Sequence, residues 1–207
     1  MNGYNQVLKP LAAEAVGTLF LTLTIVTVSV GISASPDYQA VFLPAVIGLV
    51  LGLMVYIFGG VSGGHFNPAV TCGLFLARKV SFKQLATNVI GQIIGAYLGY
   101  GLAKLLLGGG IEPPIAAGSG AMLAEFVGAF ILVLAVSAVV WSKVVPAASG
   151  LVIGGALTLG ISIALSTSGG ILNPAVALGL GAYHLSYLLM PFLGGGAAAG
   201  LAAWLFG

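Results

Sequence analysis

Asn67 and Asn173 each stand directly before Pro-Ala-Val and each follow a Ser-Gly-Gly triplet, in Ser62-Gly-Gly-His-Phe-Asn-Pro-Ala-Val and Ser168-Gly-Gly-Ile-Leu-Asn-Pro-Ala-Val. Asparagine is among the best helix N-caps, and proline suits the first helical position because it has no N–H to leave unpaired. Asn67-Pro68-Ala69 and Asn173-Pro174-Ala175 should therefore each open a helix. A helix start is partially positive, and an asparagine amide donates hydrogen bonds. Where two such starts meet, a neutral solute with an oxygen to offer is welcome and a cation is repelled. The glycines at 63, 64, 169 and 170 allow the extended, unusual backbone that such approaches need. The carbonyls of Gly63, Gly64, His65, Gly169 and Ile171 are expected to form a row of acceptors.

The elements that position these residues follow from composition. Of 207 residues, 59% are hydrophobic and 5% charged, against roughly 25% charged in a soluble domain. A soluble surface cannot be built from so few charges, whereas several apolar runs exceed the roughly 20 residues that cross a bilayer. The pattern predicts spans near 11–33, 39–60, 82–107, 120–142, 147–167 and 184–206. A signal peptide is rejected for the first run, which is too long for such a segment and carries Glu14. Two shorter pieces, 67–78 and 173–182, cannot cross and read as half-helices of about 15–20 Å.

Lys9, Arg78, Lys79, Lys83 and Lys143 fall on one side of this arrangement and Lys104 on the other. The basic side is expected to be cytoplasmic and to hold both termini, with Asp37 and Glu112 outside. The Gly/Pro-rich connector 108–120 divides the chain into halves 1–107 and 108–207. Glu14-Ala-Val-Gly-Thr-Leu-Phe-Leu in the first recurs as Glu125-Phe-Val-Gly-Ala-Phe-Ile-Leu in the second. Three spans per half make the second copy run upside down. The expected fold is an all-α membrane protein of six transmembrane helices plus two re-entrant half-helices in an inverted repeat, where broken helices mark the transport site.

Glu14 and Glu125 are acids inside predicted spans, which makes them functional candidates, either as loop supports or in proton coupling. The single Cys72 reads as a packing residue, His65 as a loop-fixing or vestibule residue, and His184 as interfacial. Gly91, Gly95 and Gly99, with Gly196 and Gly200, have the four-residue spacing that lets membrane helices approach closely. No metal site, cofactor or catalytic triad is expected, and a net charge of +2 is too small for a nucleic-acid surface. The partners expected are membrane lipid and small neutral solutes.

Over nearly its whole length the chain resembles the aquaporins and aquaglyceroporins. The stretch Ser62 to Thr71 is similar to the first pore loop of bacterial members, and Glu14 and Glu125 match the family's paired buried glutamates. The resemblance implies a six-span, two-half-helix fold, a pore in each protomer with Asn67 and Asn173 at its centre, glutamates that hold the pore loops, and a homotetramer. Short termini and minimal loops further suggest a prokaryotic inner membrane. The family's water- and glycerol-conducting members carry arginine after the second Asn-Pro-Ala, where this chain has Val176. Motif spacing transfers the outer constriction to Ile47, Ile161, Gly170 and Val176. That set implies a wider, more apolar filter that passes larger neutral solutes such as glycerol, urea, ammonia, peroxide or metalloid hydroxides. A coupled secondary transporter and a membrane scaffold with a closed pore are the competing readings.

Overall fold

The computed structural model describes residues 5–33, 36–109 and 116–207. The described helices are α1 (Asn5–Gly31), α2 (Pro36–Ser62), α3 (Pro68–Leu76), α4 (Phe82–Leu107), α5 (Ser119–Val140), α6 (Ser149–Ser168), α7 (Pro174–Leu180), α8 (Leu185–Leu188) and α9 (Met190–Phe206). A turn of 3₁₀ helix, Pro146–Ala148, leads into α6. Six helical segments among the described residues are long and apolar enough to cross a membrane: α1, most of α2, α4, α5, α6 with its 3₁₀ turn, and α8 with α9. The side chain of Asp37 and the whole of Glu112 lie outside the described residues.

Local chemistry sets the ends. Ser81 accepts from the Gln84 N–H at 3.2 Å to start α4, and left-handed Gly108, Gly169 and Gly181 stop α4, α6 and α7. The last span breaks at Leu189, two residues before Pro191, whose missing N–H interrupts the helical ladder. Both half-helices are shorter than expected. α3 has nine residues and α7 seven, about 13 and 10 Å of rise. α7 stops at Gly181, and α3 stops where Arg78 turns to a φ of 58° while Lys79 N–H bonds back to the Leu74 carbonyl at 2.8 Å.

Packing follows a paired plan. α1 lies along α4 as α5 lies along α9, α2 crosses α6, and each half-helix packs on a distant span, α3 on α9 and α7 on α4. Small residues permit the close approaches. A Cβ at Gly91 or Gly99 would come 2.5 Å from the carbonyl oxygen of Leu11 or Leu19 in α1. A Cβ at Gly52 or Gly150 would likewise meet the other's carbonyl across the α2–α6 crossing, at 2.6 and 2.5 Å. In α9 the expectation needs correction: Gly200 has nothing within 4 Å, and Gly194 and Gly195 make the tight contacts, against Phe126 and Ala69.

Two of the basic residues share a face. Lys79 sits 4.2 Å over the Trp141 ring, and Lys143 lies 5.7 Å from the Phe206 ring, so the ends of α3, α5 and α9 share one face. Lys104 is at the far end of α4 from Lys83, over Tyr100.

Candidate functional site

Two approach loops meet in the middle of the bundle. In the first, Gly63, Gly64 and Phe66 have φ of 96°, 64° and 50°; in the second, Gly169, Gly170 and Leu172 have 85°, 67° and 53°. Glycine takes such angles freely, but Phe66 and Leu172 do not, at a cost on the order of 1–3 kcal/mol each. Buried carboxylates hold both loops in place. Glu14 accepts from Ser62 Oγ at 2.6 Å and from the N–H groups of His65 and Phe66 at 3.0 and 2.7 Å. Glu125 accepts from Ser168 Oγ at 2.6 Å and from the N–H groups of Ile171 and Leu172 at 2.9 and 2.6 Å. Ser62 and Ser168 also accept from Gly64 and Gly170 N–H, each at 3.1 Å.

The strained residues present their carbonyls to the opposite loop. Asn67 Nδ2 donates to Leu172 O at 2.9 Å and Asn173 Nδ2 donates to Phe66 O at 2.8 Å. The oxygen of each side chain caps its own half-helix, accepting from Ala69 N–H at 2.8 Å and from Ala175 N–H at 3.1 Å. Each amide therefore commits its oxygen and one N–H to structure and keeps a second N–H.

Between these asparagines and four spans lies a cavity. Leu21 and Ile25 of α1, Ile47 and Leu51 of α2, Leu132 of α5, and Leu157 and Ile161 of α6 form its apolar wall. His65, Asn67, Ile171 and Asn173 complete it. The space open to the centre of a water molecule is ≈ 10 Å³, about one molecule's worth. Ile47 and Ile161 add apolar, branched side chains to this wall, which with the neighbouring leucines leave the cavity narrow. Gly170 and Val176 are absent from this lining: Val176 is fully buried, and Gly170 is packed against Ile161. The carbonyls of Gly63, Gly64, His65, Gly169 and Ile171 accept no hydrogen bond from the described residues.

The two approaches differ in polarity. On the first, His65 Nδ1 lies 3.1 Å from Thr71 Oγ1 and 3.3 Å from Asn88 Nδ2, and Gln92 Nε2 bridges Glu14 at 2.7 Å and Thr71 at 3.0 Å. On the second, Ile171 and Ala177 take the places of His65 and Thr71 in the repeated motif. Gln92 and Asn88 were not legible as site residues, because single polar residues in a span carry no spacing signal. Ser62, Ser168, Phe66 and Leu172 could have been found, since each belongs to the repeated segment.

Comparison with known proteins adds the decisive observation. The sequence profile described as "Major intrinsic protein" matches residues 3–203. The chain belongs to the major intrinsic protein family. It is thus a multi-pass membrane channel and not an enzyme. The channel is 33% identical to "Nodulin-26" of Glycine max over 96% of its own length and 77% of that protein's. It is 36% identical to "Aquaporin PIP1-2" of Zea mays over 90% and 74%. It also matches the solved aquaglyceroporin of Plasmodium falciparum with a TM-score of 0.76, covering 96% of both chains at 20% identity. That likeness establishes the all-helical, aquaporin-like fold.

Proposed function

We propose that this channel passes small uncharged solutes through a pore in each protomer, with Asn67-Pro68-Ala69 and Asn173-Pro174-Ala175 at its central constriction. The observation that carries the reading is the cross-linked asparagine pair on a cavity whose wall, His65 apart, is otherwise apolar: each amide has a spare N–H for a passing oxygen. The starts of α3 and α7 add partial positive charge there, which disfavours cations. The unpaired carbonyls of the approach loops serve as the acceptor rows. Glu14 and Glu125 act as loop supports, since loop donors occupy both carboxylates, and this weighs against proton coupling.

Residues 1–107 and 108–207 read as two inverted copies, supported by the matched glutamate, serine and asparagine bonds. The lysine-bearing face is the cytoplasmic side and holds both termini, and the family's habit suggests a homotetramer. A prokaryotic source gains no support from the relatives named above, which are plant proteins.

In this reading Ile47 and Ile161 line the constriction with Gly170 and Val176 packed behind it, and the family's arginine is missing at Val176. Without that fixed charge, strict water selectivity is lost and glycerol, urea, ammonia, peroxide and undissociated metalloid hydroxides become candidates. The narrow apolar wall favours one second reading, a pore closed by dewetting. Stopped-flow light scattering on proteoliposomes, with water, glycerol, urea and boric acid gradients, tests both. Flux of several solutes, raised by Ile161→Ala, is the expected result. Water passage with the three other solutes excluded would overturn the broad-solute reading, and no flux through either protein would favour the closed scaffold.

A further inference from the structure

A second cavity, of ≈ 390 Å³, shares no lining residue with the central pore cavity. It opens where the first turns of α1, the end of α2 and the first turns of α4 come together, and its volume is within the range of about 300–1,000 Å³ seen for ligand sites. Gln6, Lys83, Gln84 and Thr87 point chemistry into it, and Ser62 and Gly63 form its inner wall.

Three observations indicate an anionic guest. The Lys83 ammonium makes no ion pair with any described residue, and it is the one charged group in the wall. Thr87 is only 8% exposed, yet its hydroxyl, on the cavity wall, has no hydrogen-bond partner among the described residues. The wall also contains the start of α4, a 26-residue helix whose first N–H groups and partial positive charge favour an anion. One lysine and one helix start match a single negative charge. The amides of Gln6 and Gln84 with the Thr87 hydroxyl match a headgroup that also carries hydroxyls.

The surroundings select the source of that anion. Phe82, 71% exposed, stands between Ser81 and Lys83, and exposed Leu8 stands between Gln6 and Pro10. Exposed apolar side chains beside a lysine at the start of a span belong at the boundary of hydrocarbon and headgroups. We propose that this cavity binds the phosphodiester headgroup of an anionic phospholipid. The Lys83 ammonium and the α4 start take the phosphate, while Thr87 and the two glutamines take headgroup hydroxyls. The site touches the pore machinery from behind: Gln84 Nε2 donates to Ser62 O at 3.2 Å, and Ser62 donates to Glu14. A bound headgroup thereby braces the first approach loop.

The test uses the full chain in detergent, with bound lipid counted by native mass spectrometry and unfolding followed thermally. Phosphatidylglycerol, phosphatidylcholine and sn-glycerol 3-phosphate are the probes. Phosphatidylglycerol should be retained in preference to phosphatidylcholine and should raise the unfolding temperature. Lys83→Gln should weaken its binding about fivefold, the effect of one basic contact, and Thr87→Val should weaken it as well. Lys104→Gln, at the other end of α4, should leave it unchanged. Unaltered binding in both Lys83→Gln and Thr87→Val, or an equal loss in Lys104→Gln, would overturn the site. Equal stabilisation by sn-glycerol 3-phosphate would overturn its assignment to lipid.

Discussion

Asn67 reaches across the centre of the protein to the carbonyl of Leu172, 2.9 Å away, so the cap of one half-helix is fastened to the approach of the other. Asn173 and Phe66 return the contact at 2.8 Å. Neither loop can be placed without its counterpart, and the strained φ of Phe66 and Leu172 is what aims the two carbonyls.

Asn67→Ala therefore removes a cap and a cross-link together. The cap alone is worth about 1 kcal/mol, and the stranded Leu172 carbonyl adds about 1–3 kcal/mol. Thermal unfolding should show a clear drop, with solute flux abolished. A double-mutant cycle with Asn173→Ala should be non-additive, because both residues hold the same seam; additive losses would mean that the cross-links are energetically independent.

Glu14→Gln turns an acceptor oxygen into a donor facing the His65 or Phe66 N–H. Each donor left unpaired costs about 1–3 kcal/mol. The variant should be less stable and should conduct poorly to the same degree with or without a proton gradient. Flux lost only under the gradient would return the coupled-transporter reading.

Gly99→Ala and Gly200→Ala make a matched pair. A Cβ at Gly99 would lie 2.5 Å from the Leu19 carbonyl, whereas at Gly200 it meets nothing within 4 Å. The first should cost about 1–3 kcal/mol by overpacking, and the second should be neutral or stabilise by up to about 1 kcal/mol. Unfolding temperatures in detergent distinguish them.

Ile171→Ser adds a hydroxyl to the apolar side of the pore cavity. If dewetting limits passage, water flux should rise severalfold by stopped-flow while stability changes little. Unchanged flux would place the limiting step elsewhere.

Much of this was legible in the sequence because it repeats. The paired Ser-Gly-Gly and Asn-Pro-Ala segments announced where helices start, and long apolar runs announced the spans. Three features were not legible. The first half-helix ends early because φ at Arg78 turns positive, and no glycine marks that stop. The tight glycines of α9 are Gly194 and Gly195, since the helix phase there is set by the break before Pro191 and not by four-residue spacing alone. The narrowness of the cavity depends on how branched side chains from four spans converge, which spacing within one span cannot reveal.

The unequal polarity of the two approaches shapes the journey of a solute more than its destination. Along the side of His65 a molecule meets a polar ring as well as the loop carbonyls, and can exchange its water shell for protein contacts a few at a time. Along the side of Ile171 it meets loop carbonyls set against an apolar wall and has fewer replacements for that shell. Passive flow obeys the concentration gradient in either direction, so this lopsided profile cannot act as a rectifier. What it determines is the waiting place: a solute coming from either face should dwell on the histidine side, and an inhibitor shaped to lodge in the pore would be most effective there.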